Sequence, residues 1–370
     1  MMRRMGVKNM TVELRELKYR IDSKLYEYLK EREGPTPPGP VPPTPTPSGD
    51  FDELTTLIQE AIAGSGKLVL DKDYQFIGDE GEVIMDIIEI NGVIEIDGNG
   101  YTINLESPTG RCASLFHLAD ANSSIVLKNT RVINGGISQW KSNYYVIDAE
   151  RNVNIENCIF QNCNGMPGIA KGVHSLVDSI IIDNHCKYSL FELEGDVGQR
   201  ILRNIIRSNT LTDYENYGGL IVDGMADQYL MDSNVIIDNN PNKVRLEMYG
   251  DVINNYWGTN HVTETSINLS NYPDYRSFSY ESLIINYPSS AMLRVPEAIT
   301  IMFSNTSLPE FEVGVIVEGN ASLDTGVVML GGANPSEVII TPLGEGNALF
   351  TLGPNFTAPL AVHEFYCSPQ

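Results

Sequence analysis

The sequence predicts a mainly β protein: a solenoid of short stacked strands, entered through helices and followed by a β-sandwich. Three observations predict it. Strand-like segments bracketed by asparagine recur through the middle of the chain. A second series of short β-rich segments recurs beside them, and residues 281–370 carry strand patterns with no repeat.

The chain begins with a region of different character. Over residues 11–33, Leu14, Leu17, Ile21, Leu25 and Tyr28 recur at three- and four-residue spacing with charges between them, the pattern of an amphipathic helix. Residues 1–34 are therefore expected to form an anchoring or oligomerisation helix. A short coiled coil predicts a homotrimer, and docking onto another protein is the other use of such a stripe. Residues 35–50, PTPPGPVPPTPTPSGD, stop that helix. Proline removes backbone donors and fixes φ, so this segment is an extended linker. Residues 51–62 form a second amphipathic helix through Phe51, Leu54, Leu57, Ile58 and Ile62, and the strands KLVLDKDYQF and VIEIDGNGYTINL follow it.

The repeat then sets in. NTRVIN, NCIFQN, NIIRSN and NVIIDN place Asn129 and Asn134, Asn157 and Asn162, Asn204 and Asn209, and Asn234 and Asn239 around apolar segments, with a shifted copy, SIIIDN, between. SLFHLADAN and YYVIDAERN align at an offset of 30, as do LFELEGD and LIVDGMAD. A period of roughly 20–30 residues with no helical pattern signals a solenoid whose turns bury one continuous column. Asparagine tolerates the left-handed backbone needed where each turn bends, and stacked amides can hydrogen-bond along the axis. The eight asparagines are thus expected to be a structural ladder. The pattern ends near residue 262. Residues 263–280 are a polar, tyrosine-rich linker, and 281–370 hold about seven strands punctuated by Pro and Gly, as in a sandwich.

Composition narrows the function classes. A net charge of −23 argues against a nucleic-acid partner, because phosphate contacts require Lys and Arg. Residues 1–33 run against that balance, with nine Lys/Arg against six Asp/Glu, so the N-terminus and the body face different partners. Cys112, Cys158, Cys163, Cys186 and Cys367 are odd in number and irregular in spacing, which fits buried thiols better than a disulfide framework or a zinc site. No run approaches the ~18 apolar residues of a membrane span, and no apolar signal-peptide core follows the basic first residues. The expectation is a chain outside the general secretory route, or one whose signal has been removed.

From 51 to 260 the sequence resembles the adhesin-like proteins of methanogenic archaea. FDELTTLIQEAI with KLVLDKDYQF looks like that family's lead-in helix and first strand, and VIEIDGNGYTI like its opening turn. The asparagine-flanked strands look like its rungs, and NNYWGTN like its closing motif. The resemblance implies a right-handed parallel β-helix over 51–262 and an Ig-like β-sandwich over 281–370. The front end departs from the family: a basic helix and a proline-rich stalk resemble the layout of a viral tail fibre.

Catalytic signatures are sparse. The five histidines show no metal-binding spacing, no nucleophile or phosphate-loop motif has suitable flanks, and no cofactor or metal is expected. Asp148, Asp223, Glu192 and Glu194 line one face if the offset of 30 holds, the arrangement a glycan-cleaving enzyme would need. Binding has better candidates in the loops that interrupt the repeat. GGISQWKSNYY carries Trp140, Lys141, Tyr144 and Tyr145, and LTDYENYGG carries Tyr214, Glu215 and Tyr217. Exposed aromatic rings stack on sugars and anchor recognition surfaces. The function expected is a non-enzymatic receptor-binding tail fibre of an archaeal virus, attaching to a host surface glycan or protein and joining the virion through its N-terminal helix. A methanogen surface adhesin and a glycan-degrading tailspike are the alternatives.

Overall fold

Short apolar strands separated by sharp corners leave the chain one efficient way to satisfy its backbone: each strand pairs with its counterpart one circuit later. The computed structural model describes residues 49–77 and 88–369 apart from 107–110, 113, 119, 137–144, 194–196, 214–218, 223–227, 243, 246–249, 259–266, 269–276, 289–290, 305–307, 333 and 357–358. The helix expected over 1–34 and nearly all of the proline-rich linker lie outside the described residues. Residues 47–370 form one compact unit.

The first sheet has eight strands, which follow one another in chain order from Gly49–Asp50 and Tyr74–Gln75 to Ile205–Arg207 and Val235–Ile237. The second has sixteen and consists of two ribbons, joined where Ala170–Val177 runs through both as one strand. A third, of three strands, links Asn164–Met166, His185–Cys186 and Thr210–Leu211. Among the described residues, neighbours in these sheets pair in parallel, as in Ile159 with Ile180 and Ile155 with Leu176. At ~4.8 Å per strand the first sheet is about 34 Å long.

Alternation sets which side chains enter the core. The first sheet contributes the column Tyr74, Ile103, Val132, Phe160, Ile181, Ile206 and Ile236. One ribbon of the second sheet contributes Ile96, Leu127, Ile155, Leu176, Ile201, Met231 and Val252. The other contributes Ile88, Phe116, Ile147, Ala170, Phe191 and Ile221. All three columns meet in a single core. Each buried Leu, Ile or Phe stabilises the fold by about 2 kcal/mol, and a one-residue slip would turn every one of them outward.

This rule corrects one expected register. Phe116 pairs with Ile147, not with Val146 as an offset of 30 requires, so Asp148 lies beside His117 instead of Leu118. The slip would have carried Asp148 into the core. The second alignment stands, with Phe191 beside Ile221.

The corners hold two kinds of asparagine, which the repeat in the sequence does not separate. Asn129, Asn134, Asn157 and Asn162 themselves adopt positive φ, between 50° and 60°. Their side chains form outer ladders: Asn157 Nδ2 donates to Asn129 Oδ1 at 2.8 Å and Asn129 Nδ2 to Asp97 Oδ1 at 2.9 Å, while Asn162 donates to Asn134 and Asn134 to Asn104. In later circuits the left-handed residue is the one before: Arg203, Ser208, Ser233 and Asp238. Asn204, Asn209, Asn234 and Asn239 follow it with side chains turned inward. Asn234 Oδ1 accepts from both the backbone N–H and the Nδ2 of Asn204, and Asn255 Oδ1 accepts the same pair from Asn234. The Nδ2 groups of Asn204, Asn234 and Asn255 also donate to Leu176, Ile201 and Met231 carbonyls. A parallel inner ladder runs Asn184, Asn209, Asn239.

Both ends of the stack are covered. At the first, the helix α1 (Phe51–Ala63) buries Phe51, Leu54 and Ile58 on the core, and the Asp50 side chain caps it by accepting the Glu53 N–H at 2.8 Å. Gly49 is required beside it, because a Cβ there would lie 2.5 Å from the Tyr74 ring. At the other end, the expected linker contributes strands: Ile267–Asn268 pairs with Val244–Arg245, and Ser277–Tyr280 pairs with Gly250–Asn255. The open backbone edge accepts these polar segments despite their lack of an apolar pattern. Residues 284–368 then form two mainly antiparallel sheets of four and five strands. The short segments Met292–Arg294, Ala321–Leu323 and Val327–Leu330 add strands beyond those legible in the sequence. Their core incorporates Val235, Ile237 and Tyr256 from the parallel stack. Tyr256 meets Phe311 with ring centroids 6.3 Å apart, and Arg207 donates to the Glu312 carbonyl.

The two ladders differ in energetic weight. Asn234→Ala strands buried donors and acceptors and is expected to lower stability by about 2–3 kcal/mol in urea unfolding, whereas Asn157→Gly, which keeps a residue suited to positive φ on an exposed corner, costs under about 1 kcal/mol.

Candidate functional site: an ionisable row and a separate groove

Outward positions on one ribbon of the second sheet place ionisable side chains in register. Glu89, His117, Asp148, Lys171 and Glu192 follow one another on successive strands, and the row continues through Val222. His117, Asp148, Lys171 and Glu192 are all partly buried. The strands bearing Asp148 and Glu192 stand two spacings apart, about 10 Å. Lys171 lies between them.

Tyr145 closes this row from one side. Its ring packs over Gly168, where a Cβ would lie 2.5 Å from the ring, and its hydroxyl donates to Glu192 Oε2 at 2.9 Å. Burial pushes the hydroxyl pKa up, and the adjacent Glu192 carboxylate adds to the shift. Burial likewise raises the Asp148 carboxyl, opposed by Lys171 and His117 and reinforced by Glu192. His117 Nδ1 is buried and has no hydrogen-bond partner among the described residues. The row thus brings a carboxyl, an imidazole and an amine side by side on one outward face.

Of the loop residues expected to bind, Tyr145 is the one described. It is buried with its hydroxyl engaged, so the structure gives it a packing role against Glu192 in place of an open ring face. Trp140, Lys141, Tyr144, Tyr214, Glu215 and Tyr217 lie outside the described residues, as do Asp223 and Glu194. Asp148 and Glu192 do share one face, by way of the corrected register.

A second feature lies on the first sheet. An open groove of about 450 Å³ is lined by Asp97, Asn129, Asn157 and Asp178 at the corner and by Arg131, Ile159 and Ile180 on the sheet. The Asn129 amide and the Asn99 backbone N–H hold the Asp97 carboxyl below its ordinary pKa, so it is ionised at neutral pH. Asp178 receives two bonds from the Arg203 guanidinium, at 2.7 and 2.6 Å. Nothing in the sequence pattern pointed to this groove, because its outward isoleucines read as core.

All five cysteines are free and buried. Among the described residues, no three His, Cys, Asp or Glu side chains come together to hold a metal ion, and no helix is long and apolar enough to cross a membrane. Compared with known proteins, the chain matches no family model, no curated protein and no solved structure.

Because burial raises the Asp148 pKa above its unfolded value, its contribution to stability is fully present below the unfolded pKa and is lost as pH rises through the folded one. Asp148→Asn is thus expected to be more stable than the parent at pH 7, with the advantage closing as pH falls toward about 4. Thermal melts across that range test it. Tyr145→Phe removes a hydrogen bond to a carboxylate and should cost about 1.5–3 kcal/mol.

Proposed function

We propose that the chain is an attachment protein. In this reading the parallel sheets are a right-handed parallel β-helix serving as a rigid shaft, and residues 281–370 are an Ig-like β-sandwich at its distal end. The N-terminal helix and proline-rich linker join it to a larger particle. The acidic surface and the layout of the chain favour the receptor-binding tail fibre of an archaeal virus, engaging a host-surface glycan or protein, with a methanogen surface adhesin as the cellular counterpart. The observation that carries the reading is the stack itself: a first sheet of eight parallel strands in chain order, closed by a helix at one end and a β module at the other. Such a scaffold resists bending and holds loops far from their anchor.

The ionisable row favours a second reading. A partly buried Asp148 facing Glu192 across Lys171 has the elements of an acid–base pair, as a glycan-cleaving tailspike would require.

Labelled full-length protein is expected to bind methanogen cells, and Trp140→Ala with Tyr144→Ala to reduce that binding at least tenfold while the protein stays folded. Unchanged binding would remove these loop residues from the receptor contact. Release of reducing ends from purified host wall polymer, abolished by Asp148→Asn, would replace attachment alone with cleavage. Light scattering on the same preparation reads the assembly, for which three copies are expected.

A further inference from the structure

We propose that the groove on the outer face of the first sheet is a binding site for a neutral, linear oligosaccharide lying along the stack. The inference rests on the attachment reading and assigns its ligand contact to a place distinct from the aromatic loops.

The groove has two unlike walls. Arg131, Ile159 and Ile180 occupy consecutive strands at one outward register, so two aliphatic side chains form a continuous apolar strip. Both isoleucines are partly exposed, whereas Val235, at the same register further along, is covered by the C-terminal module. Beside the strip runs the outer ladder of Asp97, Asn129 and Asn157. A sugar ring presents the same division, with aliphatic C–H faces and hydroxyls around the edge. The ~4.8 Å strand spacing is close to the length that one hexose unit adds to an extended chain.

The ladder ends at the groove. Each amide donates to the residue before it, and the position after Asn157 is Asp178, which is engaged by Arg203. The solvent-facing Asn157 Oδ1 and the Asp178 side chain thus place acceptors on the groove wall, where a sugar hydroxyl can donate to them. Charge decides between classes of polymer. Asp97 is ionised, Asp178 is a second carboxylate, and the whole chain carries −23, so an anionic polysaccharide is repelled. A volume of about 450 Å³ suits a few sugar rings.

Isothermal titration of the full chain with maltohexaose and chitohexaose as neutral probes, and with hexagalacturonate as the anionic one, tests the proposal. A neutral probe is expected to bind, and R131E/I159E to weaken it at least tenfold with the circular dichroism spectrum retained. Asn157→Asp keeps a residue tolerant of positive φ and should weaken binding in the same direction; it carries the test alone if the double variant fails to fold. Neutral binding that neither variant disturbs would overturn the groove as the site while leaving glycan attachment standing. Binding of hexagalacturonate alone would overturn the neutral assignment. No binding of either neutral probe at millimolar concentration would overturn the groove proposal, and the cell-binding assay would still decide attachment separately.

Discussion

Everything in the parallel stack depends on each circuit returning to the same register as the one below it. Parallel strands have no tight hairpin to fix their alignment, so the constraint falls on the corners. The inner asparagines meet it with bonds that a shifted neighbour could not make. Asn234 holds two donors of Asn204 through one oxygen, hands its own amide to Asn255, and ties back to the Ile201 carbonyl. Buried and fully engaged, these amides turn a potential desolvation cost into a geometric specification.

That arrangement frees the outward face. With the core columns and corners fixed, outward residues can vary without disturbing the fold, and the chain uses them unevenly. One face carries the ionisable row under Tyr145, another the isoleucine strip beside the amide ladder. Toward the C-terminal end the strip is covered, as Val235 and Ile237 enter the core of the antiparallel module. The same register therefore serves as an internal interface at one end of the sheet and as open groove at the other.

The element order was legible in the sequence because alternation, turn residues and period are local signals. The helix over 51–63, the strands around the Asp97–Tyr101 turn and the recurrence of asparagine were all visible. What the repeat concealed was depth. A bracket such as NCIFQN and one such as NIIRSN read alike, yet the first places its asparagines outside and the second inside, since the left-handed residue moves by one position. No single-chain pattern distinguishes these, because the difference lies in which neighbour one circuit away receives the amide. The groove stayed hidden for a related reason: Ile159 and Ile180 carry the composition of a core while facing outward.

The exchange of ladders along the axis has a mechanical consequence. At the level of Cys158 and Cys163 the inner positions hold thiols, and upstream of them Thr130 and Gly135, so the side-chain links between the earlier corners are single amide bonds on the solvent side, added to the backbone ladder. The later circuits are riveted from within. Were the stack to serve as the shaft of an attachment protein, its two halves would answer load differently, the half with inner amide ladders and the module packed on it holding its corners more firmly than the half with outer ladders.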